Sequence, residues 1–130
     1  MGRRSVCTMD TPDVPAPLLP TIAYDEFVNV DIRAGTIVAA APLAGARKPA
    51  FVLDIDFGPS IGFKRSSAQV TVHYDAAGLV GRQIAAVLNF APKRIAGVKS
   101  EALVLGFPDT ARAVVLVTPT HPVPNGARLF

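Results

Sequence analysis

The stretch FVLDIDFG, residues 51 to 58, sets Phe51, Leu53, Ile55 and Phe57 on one side and Val52, Asp54 and Asp56 on the other. A two-residue period of this kind suits a half-buried β-strand, whose successive side chains leave opposite faces, and no helix can use it. The same period runs through Val28, Val30, Ile32 and Ala34, which alternate with Asn29, Asp31 and Arg33. After Gly35 the phase slips, and Ile37 and Ala39 become the apolar set. A glycine at such a slip predicts a bulge or sharp coil in a long first strand. Ala68, Val70, Val72 and Tyr74, opposite Gln69, Thr71 and His73, predict a third strand that begins around Lys64 and Arg65. Ile84, Ala86, Leu88 and Phe90 define a fourth, and Ala102 to Phe107 a fifth. Between the third and fourth, Asp75 to Gly81 reads as a short helix or turn ending at glycine.

Five strands, a coiled first strand and a helix between strands three and four predict an all-β chain, a five-stranded OB-fold barrel. A sandwich of hairpins is the alternative, which the phase slip and the helical insert disfavour. A sixth apolar run, AVVLVTP, precedes a proline-rich C-terminal segment. A five-stranded barrel has no place for it. It is expected to be buried as an extra C-terminal strand, against the barrel or, preferably, a second copy, because an exposed aliphatic strand aggregates. Thr21 to Phe27 predicts one helical turn packed on the domain. Residues 1 to 20 hold four prolines and no periodicity, so a disordered leader is expected before a domain spanning 21 to 130. Met9 is a candidate start of translation.

A chain of 130 residues suits one domain with one core. Half its residues are hydrophobic and only 18% are charged. No apolar run reaches the roughly 18 residues of a membrane-spanning helix, so the excess apolar surface points again to a homodimer. The single Cys7 excludes a disulfide framework and a cysteine-based metal site. The opening MGRRSVCTMD lacks the apolar core of a secretory signal, and a cytoplasmic location is expected.

The net charge of +3 permits an anionic partner, and placement of the charges matters more than their sum. In an OB-fold the connection between strands one and two, Ala40 to Pro49, carries Arg47 and Lys48. The connection between strands four and five, Ala91 to Lys99, carries Lys93, Arg94 and Lys99. These two loops flank the binding face of OB-folds. Strand three begins with Lys64 and Arg65, followed by Ser66 and Ser67. Seven of thirteen Lys and Arg thus belong to segments this topology brings to one side. Base stacking is expected to be poor, because there is no Trp and most Phe fall on inward faces. Asp54 and Asp56 would repel phosphate if they lined the groove.

Enzymatic signals are weak. Asp54 and Asp56 share a strand face, but any solvent-facing alternation gives that spacing. His73 and His121 are far apart, and Ser66–Ser67 lacks a neighbouring His and a strand–elbow–helix glycine pattern. GLVG, residues 78 to 81, runs into a strand, whereas the backbone-clamping GXXG of KH domains joins two helices. Phosphate-loop and dinucleotide fingerprints are absent. No catalytic residue, metal or cofactor is assigned.

VDIRAGTIVAA, ARKPAFVLDIDFG, IGFKRSSAQVTVHY, GRQIAAVLNFAPKRIAGVKSEALVLGF and the ending VPNGARLF together resemble CsaA, a family of bacterial export-related chaperones. The likeness runs from about Ile22 to Phe130. The long phrase beginning at Gly81 also resembles the tRNA-binding domain attached to some methionyl- and phenylalanyl-tRNA synthetases. The resemblance implies an OB-fold homodimer whose extra-barrel segments build the interface. It also implies binding of unfolded precursor polypeptide, with the translocation motor as a further partner. The wider likeness implies tRNA binding at the same basic face. By resemblance, Arg47 and Lys48 match the basic loop, Lys64 to Gln69 the start of strand three, and Asn89, Lys93 and Ser100 the second loop region. Ala102 and Leu103 stand where many tRNA-binding members carry glycine and methionine, a departure that leaves room for a hydrophobic contact but weighs against tRNA affinity. With Phe51, Phe63, Phe90 and Ile95 beside the basic loops, peptide binding ranks first and tRNA binding second.

Overall fold

A computed structural model describes residues 17–130 of the chain. Most of the expected leader, with Cys7 and Met9, lies outside the described residues. The elements in chain order are α1 (Tyr24–Val28), β1 (Ile32–Pro42), β2 (Phe51–Asp56), β3 (Phe63–Ala68), α2 (Ala76–Leu79) and β4 (Gln83–Val87). There follow β5 (Lys93–Ile95), β6 (Val98–Ser100), β7 (Leu103–Val104), β8 (Gly106–Pro108) and β9 (Val114–Leu116). The main sheet has the order β3-β2-β1-β4-β7, entirely antiparallel, and curls into a nearly closed barrel. The OB-fold expectation holds, with α2 between β3 and β4.

β2 behaves as its alternation requires. Leu53 and Ile55 are wholly buried, Phe51 and Phe57 nearly so, and Val52, Asp54 and Asp56 stay partly exposed. Each such aliphatic or aromatic side chain contributes roughly 1.5–3 kcal/mol by leaving water. α2 is capped by Asp75, whose carboxylate accepts a hydrogen bond from the Gly78 amide at 2.6 Å, and it inserts Leu79 into the core.

Several boundaries differ from expectation. The bulge in β1 falls at Val38 and not at Gly35, because Ile37 pairs with Ile55 while Ala39 already pairs with Asp54. Gly35 has another purpose. A Cβ there would lie 2.6 Å from the Phe57 ring and 2.7 Å from Ile55, so the core closes onto bare backbone. Strand three occupies Phe63–Ala68, so it starts near Lys64 as expected but does not continue to Tyr74, since Ala68 pairs with Phe51, the first residue of β2. Beyond that point no partner backbone remains, and the chain turns at Thr71–His73 despite its alternation. Strand four stops at Val87, short of Phe90.

The fifth strand is broken at Leu105 into β7 and β8, and the connection expected as a loop folds into the β5–β6 hairpin. The sixth run becomes β9, paired with β8, and Leu116 joins the barrel core. Burial of that run is therefore largely supplied within the chain.

Past β9 the C-terminal segment crosses β4 and then β1. The Gln83 amide holds Val123 in both directions, donating to its carbonyl at 2.6 Å and accepting from its N–H at 3.1 Å. Gly126 N donates to Ala34 O and Ala34 N to Ala127 O, and Leu129 N reaches Ile32 O.

Candidate functional site

Ile95 and Val98 face each other across a two-residue turn of Ala96 and Gly97, whose φ values are 50° and 84°. Positive φ at both positions marks the type I′ geometry that joins strands most tightly. The hairpin so formed stands beside β3. The Glu101 N–H donates to Arg65 O at 2.7 Å, Ser67 N–H to the Ser100 hydroxyl at 3.2 Å, and the Ser66 hydroxyl to Ala102 O at 2.7 Å.

Three depressions lie around the hairpin. One, of about 480 Å³, is lined by Phe63, Lys64, Arg65, Arg94, Val98 and Lys99 together with Asp54 and Glu101. A second, of about 340 Å³, is lined by Ser67, Phe90, Lys93, Ile95, Ser100 and Leu103. A third, of about 380 Å³, holds Arg47, Lys48, Ser67, Gln69, Ile95 and Ala96. Glu101 borders the first two, and Ser67 and Ile95 border the second and third. Arg47 and Lys93 thus line adjoining depressions that share Ser67 and Ile95, and the three depressions form a basic surface around the hairpin.

Of the twelve residues expected at the site, ten line this surface: Arg47, Lys48, Lys64, Arg65, Ser67, Gln69, Lys93, Arg94, Lys99 and Ser100. Two do not. Ser66 is fully buried, with its hydroxyl committed to Ala102. Asn89 clamps the approach to β1, accepting from Asp31 N at 2.9 Å and donating to Asn29 O at 2.7 Å.

Seven cations and two carboxylates give the surface a net charge of +5. The whole chain carries +3, so the remainder is net −2. Asp54 does not stand free: Arg65 Nε donates to its Oδ1 at 2.8 Å. That hydrogen bond, and the carboxylate's charge after it, holds the Arg65 guanidinium above its usual pKa. Glu101 accepts from the Arg65 backbone N–H at 3.1 Å. Among the described residues, none of the other six cations is ion-paired.

The expectation that most phenylalanines face inward is wrong. Phe51 and Phe57 are buried, but Phe63 is 68% exposed and Phe90 59% exposed, both on the basic surface. Phe63 pairs with Asp56 across β2–β3 and so shares the outward face of Asp54 and Asp56. Only the true start of β3 reveals this, and the alternation read from Ala68 onward hides it. Glu101 was missed for a similar reason, since nothing in SEALVLGF marks it as facing β3. The sequence therefore understates the platforms available for stacking.

Asp56 accepts from Gly58 N at 2.8 Å, and Asp54 is held by Arg65. His73 Nε2 lies 2.6 Å from Asp109 Oδ2 on the turn after β3, away from the groove, and His121 is exposed. Among the described residues, no group of three or more His, Cys, Asp or Glu is arranged to hold a metal, and no helix is long and apolar enough to cross a membrane.

Residues 32–128 match the family described as "Putative tRNA binding domain". This chain belongs to that family. It is 34% identical over 115 residues to a methionine–tRNA ligase of Methanoculleus marisnigri, and 26% identical over 114 residues to one of Porphyromonas gingivalis. Each match covers 88% of this chain and 16% of the ligase, so the chain spans about one sixth of the length of these curated relatives. Two crystal structures of chaperone CsaA are closely similar. That from Bacillus anthracis shares 46% identity at a TM-score of 0.80, and that from Picrophilus torridus 43% at 0.79. Each covers 85% of this chain and 100% of the CsaA chain. The resemblance to CsaA is thereby borne out. A MetRS related protein from Pyrococcus horikoshii, 23% identical at a TM-score of 0.77, shares the fold.

Proposed function

We propose that this chain is a non-enzymatic chaperone of the export-related kind, holding unfolded precursor polypeptide in the groove around the β5–β6 hairpin. The observation that carries the reading is the groove itself. It offers exposed Phe63, Phe90 and Leu103 and half-buried Ile95 between cationic rims, the combination of apolar contact and polar edge that an extended segment needs. The 46% and 43% identity to whole CsaA chains supports the same reading.

Binding of tRNA at this surface is the second reading. It rests on the family match and on the exposure of Phe63 and Phe90, which gives bases two faces to stack on. The two are separated by titrating labelled unfolded precursor and bulk tRNA at two ionic strengths. A polypeptide complex that survives salt at which tRNA has dissociated supports the chaperone reading. Retention of tRNA alone overturns it.

The working unit of the proposal is a homodimer in the cytoplasm, with the translocation motor as a further partner. In support, α1 buries none of its residues. Tyr24, Phe27 and Val28 form one depression with Leu129 and Phe130, and most of these side chains are exposed. Leu18, Leu19 and Ile22, just before α1, are exposed as well, and exposed apolar side chains grouped in this way mark interaction surfaces. Sedimentation equilibrium giving a monomer at micromolar concentration overturns the dimer.

A further inference from the structure

We propose that the groove selects polypeptide segments in which apolar side chains are flanked by carboxylates, and rejects segments whose apolar run is flanked by lysine or arginine. This rests on the polypeptide reading above and goes beyond it by naming the class of segment bound.

The distribution of charge around the apolar floor carries it. Phe63 and Val98 lie in one depression with Lys64, Arg94 and Lys99. Phe90, Ile95 and Leu103 lie in the next with Lys93. Ile95 continues into the third, whose far rim is Arg47 and Lys48. Each apolar contact thus has a cation beside it. The two carboxylates in the groove cannot balance them, because Asp54 is held by Arg65 and Glu101 accepts from the Arg65 backbone. Six cations are left without an ion partner among the described residues. Partners of opposite sign are drawn to such a patch and partners of like sign are suppressed.

One consequence concerns precursors. A secretory leader opens with a positively charged region before its apolar core. The groove repels that arrangement, so the segments it holds come from elsewhere in the precursor, where acidic and apolar residues are neighbours.

The test uses the full chain and three fluorescently labelled peptides with identical apolar spacing, flanked by Glu, Ser or Lys, read by anisotropy at low and moderate salt. The expected order of affinity is Glu over Ser over Lys, about tenfold between the extremes at low salt and narrowing as salt rises. Charge reversal on the hairpin (Lys93→Glu with Arg94→Glu) removes or inverts the order. The pair Arg47→Glu with Lys48→Glu does the same from the opposite rim and does not depend on the hairpin folding. Equal binding of all three peptides, or preference for the Lys-flanked one, overturns the selection rule while leaving the polypeptide reading intact. Failure of all three to bind, with single-stranded RNA still retained, overturns both.

Discussion

The Arg65 guanidinium crosses from β3 to grip the Asp54 carboxylate on β2, Nε to Oδ1 at 2.8 Å and Nη2 to Oδ2 at 3.3 Å. The two residues are register partners, so the pairing is set by the sheet and not by a chance meeting of long side chains. Of Asp54 and Asp56, the two carboxylates expected to repel an anionic ligand, it pairs off the one that lines the groove. Asp54→Asn frees Arg65 and raises the local charge. The expected outcome is tighter binding of polyanions with a steeper salt dependence, and little change in thermal stability because the pair is solvent-exposed. Anisotropy titrations and a melting curve check both halves.

Gly126 anchors the C-terminal segment with φ of +90°, and a Cβ there would lie 2.5 Å from the Phe57 carbonyl oxygen. Backbone, unlike a side-chain tip, cannot swing aside. Gly126→Ala is expected to cost about 1–3 kcal/mol, and the loss appears as a lower denaturant midpoint. Hydrogen exchange at the amides of Ala34 and Leu129, which bond across this junction, rises in the variant.

Ala96 sits at φ of 50° in the first position of the hairpin turn, where a Cβ crowds the backbone and asparagine is preferred. Ala96→Asn creates the favoured Asn-Gly pair and is expected to stabilise the protein by about 0.5–1 kcal/mol, read by chemical denaturation. Ligand affinity through Ile95 and Lys93 should hold or improve, since the hairpin is better preformed.

Asp109 organises the turn between β8 and β9. Its Oδ1 accepts from the amides of Ala111 and Ala113, and its Oδ2 faces His73. The His73 contact foremost, then the Ala113 amide, holds its carboxyl below the usual aspartate value of 3.8. A group depressed in the folded state adds stability that is present above the unfolded pKa and lost as pH falls through the folded one. Stability at this turn should therefore decline only below about pH 4. Asp109→Asn keeps the Oδ1 acceptor, lowers stability near neutrality and flattens that acid limb, as melting curves at stepped pH will record.

Much of the barrel was legible in the sequence because alternation is a local property. FVLDIDFG had to be a strand with Phe51, Leu53, Ile55 and Phe57 inside, and Asp75 to Gly81 read as a short helix or turn ending at glycine. The basic character of the two connections, with Arg47 and Lys48 in one and Lys93, Arg94 and Lys99 in the other, was equally readable. Where alternation continued past the end of a partner strand it misled, as at Val72. Pairing needs a neighbour's backbone, and β2 begins at Phe51.

Register across the sheet decided the rest. It brought Arg65 to Asp54, turned Phe63 to solvent, drew Ser66 into the core and set Glu101 against β3. A side chain's own neighbours in sequence fix its alternation, and that much the 130 residues determined alone. Which charges cancel, which rings are left bare and whether two distant loops rim one groove depend on distances between strands. Those distances exist only once the barrel has closed.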